Sequence, residues 1–325
     1  METRISALAE KVRARDRVGL AQALSLAESL RWEDLPQRVA LLRAVGTAPL
    51  TAYRIGFTGA PGAGKSTLID ALGAYLLERF PDAHLAILTV DPSSWRSGGS
   101  LLADQTRMRR LAAHPRAFLR TFASGGHLGG LHPRLYEALT LCEAAGFTWI
   151  FVESVGTGQS EIELRYACDF LLYVALPHGG DELQGLKRGL MEALDGIALN
   201  KVDTLAAADL NRLLFQLETA LQLLRGGKPF VVPVSALTGE GLPLLWEKLW
   251  AHQPTPAQQT TLRQEQARYW LLRYWQEALE QWLQRTPQGQ LRHHLLTRLE
   301  KGEPFWALLE EIAGAFGLFQ REAPA

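Results

Sequence analysis

The sequence predicts an α/β fold with a mostly parallel sheet, flanked by N-terminal and C-terminal helical extensions. Two observations predict it. Between residues 51 and 252, short runs that are apolar at nearly every position alternate with stretches of helical periodicity, as expected for strands buried on both faces of a parallel sheet. Outside that range, apolar residues recur at helical spacing. We therefore expect a helical extension over residues 1–50, an α/β domain over 51–252 and a helical region over 253–325.

Six apolar runs mark the strands of this sheet. Each is short, and a helical stretch or a loop separates it from the next one. The runs are residues 54–58, 85–90, 149–152, 170–176, 196–199 and 230–234.

The C-terminal region carries an unusual amount of aromatic surface. Five of the nine tryptophans lie beyond residue 249, and three of them fall on one apolar helical stripe. A helix with this much aromatic surface must bury it. The sequence leaves two partners open, the α/β domain and a second copy of the chain. The stripe consists of Trp270, Leu271, Tyr274, Trp275, Ala278, Leu279 and Trp282.

The composition excludes several classes of function. The chain has 325 residues with 34 basic and 34 acidic side chains, so it lacks the positive charge with which nucleic-acid-binding proteins neutralise phosphates. No apolar run is long enough to span a membrane, and the first residues lack the apolar core of a signal peptide. The two cysteines, Cys142 and Cys168, are expected to be buried thiols. The sequence predicts a cytoplasmic protein that binds neither nucleic acid nor membranes.

A glycine-rich loop follows the first strand. Residues 59–66 match G-x-x-x-x-G-K-[ST], which a chain of this length meets by chance on the order of once in a hundred. Glycines let backbone N–H groups wrap a phosphate, and the helix that follows adds the positive end of its dipole. We expect Lys65 to reach the β- and γ-phosphates and Ser66 to bind Mg²⁺. The predicted loop contacts are Gly59, Ala60, Pro61, Gly62, Ala63, Gly64, Lys65, Ser66 and Thr67.

A second motif indicates which base is bound. Asn200-Lys201-Val202-Asp203 follows a predicted strand and matches N-K-x-D. The Asp203 carboxylate can accept hydrogen bonds from N1–H and the N2 amine of guanine, whereas adenine would leave it unpaired. Ser235-Ala236-Leu237 follows the last strand and resembles the loop whose N–H groups meet the guanine carbonyl, although an ordinary strand-to-helix turn would look the same. These segments predict GTP and GDP as ligands.

Carboxylates follow two further strands. Glu153 begins Glu153-Ser154-Val155-Gly156, which mimics the D-x-x-G turn whose glycine amide senses the γ-phosphate, and Asp91 follows a neighbouring strand. Carboxyl ends of parallel strands meet at one edge of a sheet, and carboxylates there can hold Mg²⁺. Asp91 is a candidate for the Mg²⁺ shell or for polarising the attacking water, and Asp104 is either a metal ligand or a surface residue. The predicted metal ligands are Ser66, Asp91, Asp104 and Glu153, and the predicted catalytic residues are Lys65, Asp91, Glu153 and Gly156.

Taken together, the motifs resemble those of the MeaB/ArgK family of P-loop GTPases, which includes the human methylmalonic aciduria type A protein. The resemblance extends over nearly the whole chain and is far more specific than the glycine-rich loop alone. Its marks are Asp104 and the segments 59–67, 90–94, 98–100, 106–108, 125–130, 141–147, 153–161 and 180–185.

The resemblance implies a function that the motifs alone do not give. It implies slow hydrolysis of GTP and a chaperone role for an adenosylcobalamin-dependent methylmalonyl-CoA mutase or a related acyl-CoA mutase. In that role the protein gates cofactor loading and protects the mutase from inactivation. It also implies a homodimer formed through the C-terminal helices. Residues 177–188 would be a switch loop facing the mutase, with Asp181, Glu182, Gln184 and Lys187 as coupling candidates.

Two other classes of P-loop protein share part of this pattern. A metallochaperone GTPase that inserts nickel or zinc usually carries cysteine or histidine clusters, whereas here the cysteines are far apart and His293-His294 is an isolated pair. A P-loop kinase of a transport system would use ATP, which the N-K-x-D motif argues against. Departures from the family pattern, such as Ser97 and Ser154 where threonine is usual, lie near the predicted switches.

Overall fold

The computed structural model describes residues 2–46, 52–91, 107–123, 131–154, 163–177, 193–225, 229–285, 294, 297–298 and 301. The chain divides into two compact units, Met1–Ala267 and Arg268–Ala325. Asp104, Gly156 and the switch-loop residues 178–188 lie outside the described part of the chain, and so does the side chain of Asp91.

A parallel sheet lies at the centre of the first unit. Within the described residues it has seven strands, all paired in parallel, which confirms the predicted α/β class. The strands are β1 (Tyr53–Thr58), β2 (Leu85–Asp91), β3 (Ala117–Ala123), β4 (Trp149–Glu153), β5 (Phe170–Ala175), β6 (Gly196–Leu199) and β7 (Phe230–Pro233). Their order is β3-β2-β4-β1-β5-β6-β7, so β1 is the central strand.

Helices connect the strands and extend both ends of the chain. The described helices are α1 (Glu2–Arg13), α2 (Arg17–Ala27), α3 (Leu35–Val45), α4 (Lys65–Arg79), α5 (Arg109–Ala113), α6 (Leu135–Ala144), α7 (Ala207–Arg225), α8 (Leu242–Ala251) and α9 (Pro256–Arg285). Short 3₁₀ turns occupy Trp32–Asp34, Leu164–Tyr166 and Val202–Thr204. Among the described residues, none of these helices combines the length and apolarity needed to cross a membrane.

The sequence prediction omitted strand β3. Its apolar run is interrupted by Arg120, which breaks the pattern of a strand buried on both faces. The structure explains the arginine, because β3 is an edge strand covered by α2. The Arg120 guanidinium binds the carboxylate of Glu28, the residue that follows α2, through two hydrogen bonds of 2.5 and 2.8 Å. The Glu28 carboxylate supplies the opposite charge that offsets the partial burial of this arginine.

Alternation along β1 separates the two faces of the sheet. Phe57 and its odd-numbered neighbours join the apolar core formed with α4 and α8. In this core the rings of Trp149 and Trp246 meet edge to face at 5.1 Å, a favoured aromatic geometry. Successive side chains of a strand point to opposite faces, so Arg54 points toward α6 on the other side, where Arg38 of α3 forms a buried 3.1 Å ion pair with Glu137. The N-terminal helices therefore cover this second face.

Both cysteines are buried thiols, as expected from the sequence. Cys142 lies in α6 and Cys168 directly precedes Asp169, and neither forms a disulfide. Burial raises the pKa of Cys142 to about 12 and also raises that of Cys168. Neither thiol is therefore an ionised nucleophile at neutral pH.

A group of charged side chains is buried where the strands begin. We call Arg54, Glu143, Asp169 and Arg263 the arginine cluster; each is at most 8% exposed. The Glu143 carboxylate accepts from Arg54 at 2.9 and 2.6 Å and from Arg263 at 3.0 Å. The Asp169 carboxylate binds Arg263 in the same forked manner and also accepts the Arg54 backbone N–H at 2.9 Å. Each buried charge thus has an opposite charge in direct contact, which offsets its desolvation.

The arginine cluster attaches the first part of α9 to the amino edge of the sheet. Arg263 belongs to α9, Arg54 to β1 and Glu143 to α6, while Asp169 directly precedes β5. Two glutamines of α9 add hydrogen bonds to the chain before β1 and β5: Gln259 donates to the Ala52 carbonyl at 2.7 Å and Gln266 to the Cys168 carbonyl at 2.9 Å.

The second unit exposes much of the predicted aromatic stripe. In its described part, Leu271, Leu272, Trp275, Leu279 and Trp282 are 46–71% exposed. We call these five residues the exposed apolar face. Apolar surface of this extent on one helix is typical of an interaction surface.

Replacing Arg263 with alanine tests the arginine cluster. The change leaves two carboxylates buried with only one cation, so we expect a loss of about 3–5 kcal/mol in the free energy of unfolding, measured by urea denaturation. Arg31→Ala is the matched control, because Arg31 pairs with Glu33 at 3.7 Å on the surface and should contribute less than about 1 kcal/mol. Equal losses for the two variants would contradict this assignment.

Candidate functional site

The glycine-rich loop connects β1 to α4 at the carboxyl edge of the sheet. Gly59 has φ +139° and Gly64 has φ +87°, conformations that L side chains rarely adopt. A Cβ on Gly59 would lie 2.3 Å from the Val174 carbonyl oxygen, and one on Gly64 would lie 2.5 Å from Nδ2 of Asn200. Glycine is therefore required at both positions for the loop to pass close to its neighbours.

Lys65 is the first residue of α4 and holds its ammonium group against the loop. The residue is 7% exposed, and Nζ donates to the carbonyl oxygens of Gly59 at 2.7 Å and Ala60 at 3.0 Å. The N-terminus of α4 lies at the same place, so its N–H groups and dipole add to the positive potential. The loop thus has the features of an anion site.

Ser66 and Glu153 meet across the site, although 87 positions separate them in the sequence. The Ser66 hydroxyl donates to Oε1 of Glu153 at 2.8 Å. Behind Glu153, the Ser154 backbone N–H donates to the Phe57 carbonyl at 3.1 Å and its hydroxyl to Oγ1 of Thr58 at 3.2 Å. Two oxygen donors predicted to hold a metal are therefore adjacent, and the end of β4 is fixed to β1 beside them.

Asn200 joins the glycine-rich loop to the loop that follows β7. It is 1% exposed, and its amide donates to the Ala63 carbonyl at 2.9 Å. Its carbonyl oxygen accepts the backbone N–H of Ala236 at 3.0 Å. With both ends of the amide engaged, the side chain sets the spacing between the two loops.

Lys201 and Asp203 lie on the exposed side of the same turn. Lys201 has φ +63°, and Nζ donates to the Gly62 carbonyl at 2.9 Å. Asp203 is exposed on the Val202–Thr204 turn. The backbone of Lys201 is in the left-handed region, and its ammonium group binds the glycine-rich loop. The Asp203 carboxylate, two residues later, faces solvent.

Residues 235–237 form an ordered turn around a buried serine. The Ser235 hydroxyl accepts the Thr238 N–H at 3.2 Å, and the Ser235 carbonyl accepts the Gly239 N–H at 2.9 Å. Ala236 is 7% exposed and contacts Asn200, whereas Leu237 is 77% exposed. The turn thus presents its outer residue to solvent beside the Asn200 loop.

The residues of this site lie within the sequence model of a known protein family. A family model described as "Methylmalonyl Co-A mutase-associated GTPase MeaB" matches residues 20–288. The chain belongs to the MeaB family. It is accordingly a GTPase, since relatives across the family carry that name.

The similarity to curated relatives extends over most of the chain. A Caulobacter vibrioides protein named "Putative GTPase" is 39% identical over 326 residues, covering 97% of this chain and 98% of that protein. GTPase ArgK of Escherichia coli is 40% identical over 243 residues, covering 74% and 73%. The mouse protein named "Methylmalonic aciduria type A homolog, mitochondrial" is 38% identical over 280 residues, covering 80% and 66%.

A solved structure supports the fold of this MeaB-family chain. The crystal structure titled "LAO/AO transport system kinase" aligns with a TM-score of 0.74 at 28% identity and covers 98% of this chain and 99% of that one. The solved protein, which is of nearly equal length, therefore has a similar arrangement of the parallel sheet and its helices.

The structure brings together most of the residues singled out by the MeaB-family motifs. The glycine-rich loop, Ser66, Glu153, Asn200 and residues 235–237 form one continuous surface at the carboxyl edge. Asp91 ends β2, two residues beyond Thr89, which pairs with Glu153 of β4. The Asp91 backbone therefore lies at the same edge, while its side chain lies outside the described part, as do Asp104 and Gly156.

One constraint on the site was missed in the sequence. The Val174 carbonyl of β5 lies against Gly59 and leaves no room for a side chain there. Nothing in the sequence signals it, because a backbone carbonyl carries no residue type. No group of three or more His, Cys, Asp or Glu side chains placed to hold a metal occurs among the described residues.

Proposed function

We propose that this MeaB-family GTPase binds GTP and GDP with Mg²⁺ and acts as a chaperone of an adenosylcobalamin-dependent methylmalonyl-CoA mutase or related acyl-CoA mutase. In this proposal GTP hydrolysis gates loading of the mutase cofactor and protects the mutase from inactivation. The observation that carries the nucleotide part is that hydrogen bonds join the glycine-rich loop and its helix to Glu153 and Asn200 at one edge of the sheet. The mutase part rests on the family description.

The residues present fit a magnesium ion. Ser66 Oγ and Glu153 Oε1 lie 2.8 Å apart, and both are hard oxygen donors of the kind that Mg²⁺ prefers. Asp91, at the end of the adjacent strand, and Asp104 are the further proposed ligands. When bound, Mg²⁺ supplies positive charge that neutralises the phosphate oxygens as the bond to the γ-phosphorus breaks.

Phosphate binding is assigned to the loop and its lysine. Lys65 Nζ already lies at the loop surface, 2.7 Å from the Gly59 carbonyl, where it can stabilise negative charge on the β- and γ-phosphates. The backbone N–H groups of residues 59–64, apart from Pro61, which has none, and the first N–H groups of α4, including those of Ser66 and Thr67, add donors. Gly156 is proposed to donate its N–H to the γ-phosphate, which would couple the turn after β4 to the state of the nucleotide.

Base recognition is assigned to the two loops joined by Asn200. Asp203 is exposed on its turn and can accept the N1–H and N2 amine of guanine. Lys201 can lie along the base while its ammonium group stays on the Gly62 carbonyl. In the loop of residues 235–237, the N–H groups of Ser235 and Ala236 are bonded to the Glu240 carbonyl and to Asn200, so the Leu237 N–H is the group that can donate to the guanine carbonyl. Asn200 holds these groups in place rather than contacting the base through its engaged amide.

Asp203→Asn tests the base assignment. An asparagine amide has only one acceptor oxygen, so it cannot accept from both N1–H and the N2 amine of guanine, whereas its NH2 group can donate to the carbonyl that xanthine has in place of the amine. GDP affinity should therefore fall about tenfold to a hundredfold while xanthosine diphosphate affinity rises. Competition against a fluorescent guanine nucleotide measures both. Asp209→Asn, an exposed change six residues further along, should alter neither. Wild-type preference for ATP over GTP would contradict the assignment and favour the kinase alternative.

Two findings support a mutase partner. The family model that covers residues 20–288 is described by its association with methylmalonyl-CoA mutase, and one mammalian relative is named for methylmalonic aciduria. The proposed contact segment, residues 177–188, follows β5, whose Val174 lies against Gly59. A change in the glycine-rich loop could therefore be transmitted to that segment through the end of β5.

Steady-state GTP hydrolysis with and without purified acyl-CoA mutases from the same organism tests the partner. We expect one mutase to raise the rate by about an order of magnitude or more, because a partner that completes the catalytic site lowers the barrier. The Lys65→Ala variant should stay at background with or without the mutase. A wild-type rate that no mutase changes would contradict the mutase partnership and leave the GTPase assignment intact.

We further propose that the chain forms a homodimer through residues 253–325. The exposed apolar face of α9 supports this, since five large apolar side chains on one helix favour burial against a partner. A second copy presents the same face, and paired faces are the commonest way in which soluble chains assemble.

Trp275→Asp tests the dimer. Burying a carboxylate at the centre of the face should weaken association by about 2 kcal/mol or more, measured by sedimentation equilibrium. Phe215→Asp is the matched control, because Phe215 on α7 and Trp275 are both 71% exposed. A wild-type monomer, or equal effects of the two changes, would count against this interface.

A further inference from the structure

A small cavity lies between the N-terminal helices and the amino edge of the sheet. Its volume is about 100 Å³. Four basic side chains line it, and we call them the basic pocket: Arg15, Arg17, His84 and Arg116. The remaining walls are apolar and consist of Leu20, Pro115, Ala117, Phe118 and Phe147. Among the described residues, no carboxylate lines this cavity.

Within the described residues, the three arginines of the pocket have no acidic partner. The Arg116 guanidinium donates through both terminal nitrogens to carbonyls at the end of α4 and just past it, those of Leu77, Phe80, Pro81 and Ala83, so it contributes positive charge to the pocket while Arg15 and Arg17 supply the donors. Arg17 donates to the Ala117 carbonyl at 2.8 Å. In the described part of the chain, neither they nor Arg15 form an ion pair. Backbone carbonyls fix the geometry of the pocket but leave its net positive charge in place.

Arg15 adopts a backbone conformation that favours glycine. It directly follows the last hydrogen-bonded turns of α1 with φ +56°, and the residue at this place in a helix is most often glycine. A side chain here carries a conformational cost that glycine would avoid. A residue held in such a conformation beside a cavity points to a use for its side chain, and the cavity wall is where that side chain lies.

His84 responds to the charge of its neighbours. Burial lowers its pKa, the positive charges of Arg15 and Arg116 lower it further, and the Asp82 carbonyl and carboxylate oppose them. Its Nδ1 lies 3.1 Å from that carbonyl. An anion in the cavity would favour the protonated imidazole and so raise the pKa of His84.

We propose that the basic pocket is a binding site for a phosphate group, either free orthophosphate or the phosphate of a monoester. Guanidinium groups match the paired oxygens of a phosphate, and the apolar walls strengthen the attraction. A volume of about 100 Å³ corresponds to roughly three water molecules, enough for one tetrahedral oxyanion and too small for a nucleotide. The site therefore differs from the glycine-rich loop in ligand as well as in place.

The basic pocket lies at the amino edge of the sheet, whereas the glycine-rich loop lies at the carboxyl edge. His84 directly precedes β2 and Arg116 directly precedes β3, whereas the glycine-rich loop follows the end of β1. Saturating the loop with GDP and Mg²⁺ therefore leaves the pocket accessible, and phosphate binding can be measured without competition from the nucleotide site.

A larger groove adjoins the pocket and shares Arg17 and Phe118 with it. It has a volume of about 1130 Å³ and runs along α1 and α2, where Ile5, Leu8 and Val18 make its walls largely apolar. An alkyl chain attached to the phosphate could lie there. Comparison of orthophosphate with octyl phosphate thus distinguishes free phosphate from an ester with an apolar substituent.

The test follows the pKa of His84 by proton NMR in the GDP-saturated full-length protein. Its ring signal is assigned from the His84→Gln spectrum. We expect phosphate to raise the pKa of His84 relative to chloride at equal ionic strength, and by linkage phosphate should bind more tightly as the pH falls through that pKa. Octyl phosphate should reproduce the effect, at lower concentration if the groove holds the chain. An identical pKa in phosphate and chloride would overturn the proposal.

Two replacements of Arg15 separate binding from folding. Arg15→Gly and Arg15→Gln should each weaken phosphate binding about tenfold or more, because each removes a charged donor. Only Arg15→Gly also relieves the backbone strain, so its thermal unfolding temperature should equal or exceed that of the wild type. Arg31→Gln removes an equal charge outside the pocket and should not change the affinity. Unchanged phosphate binding in both Arg15 variants would show that the pocket is not the site.

Discussion

The buried amide of Asn200 joins three loops that leave three different strands. It lies just after β6, donates to the loop after β1 and accepts from the loop after β7. Since both polar ends of the amide are satisfied, neither loop can shift without leaving a buried group unpaired. The glycine-rich loop and the proposed base-contacting loops are therefore held at one spacing, and the close approach at Gly64 follows from the same contact.

Much of the nucleotide edge could be predicted because its signals are local. The glycine-rich loop and the N-K-x-D turn can each be recognised from a few consecutive residues, and strands buried on both faces show continuous apolar runs. Even the meeting of Ser66 with Glu153 follows from the sequence, since Ser66 begins the helix after the loop that leaves one predicted strand and Glu153 directly follows another strand of the same parallel sheet. The carboxyl ends of parallel strands lie at one edge of the sheet, so this proximity can be predicted without measured distances.

Other features could not be read in this way because they depend on partners distant in the chain. The sequence prediction omitted β3 because Arg120 interrupts its apolar run, and the ion pair with Glu28 that accommodates this arginine is visible only in the structure. The arginine cluster unites side chains from four separate segments, and each would look like a surface charge in isolation. The basic pocket likewise exists only after the end of α1 meets the amino ends of β2 and β3.

The central position of β1 has a consequence for synthesis on the ribosome. β1 is the first strand made, yet its neighbours are β4 and β5, and Arg54 reaches Asp169 115 positions later. Contacts so distant in sequence slow folding, because a long loop must close before they form. At about 5–20 residues per second, the nascent chain must carry an unpaired apolar strand for seconds, and Arg263 completes the cluster later still. Folding is thus a late event that requires most of the polypeptide.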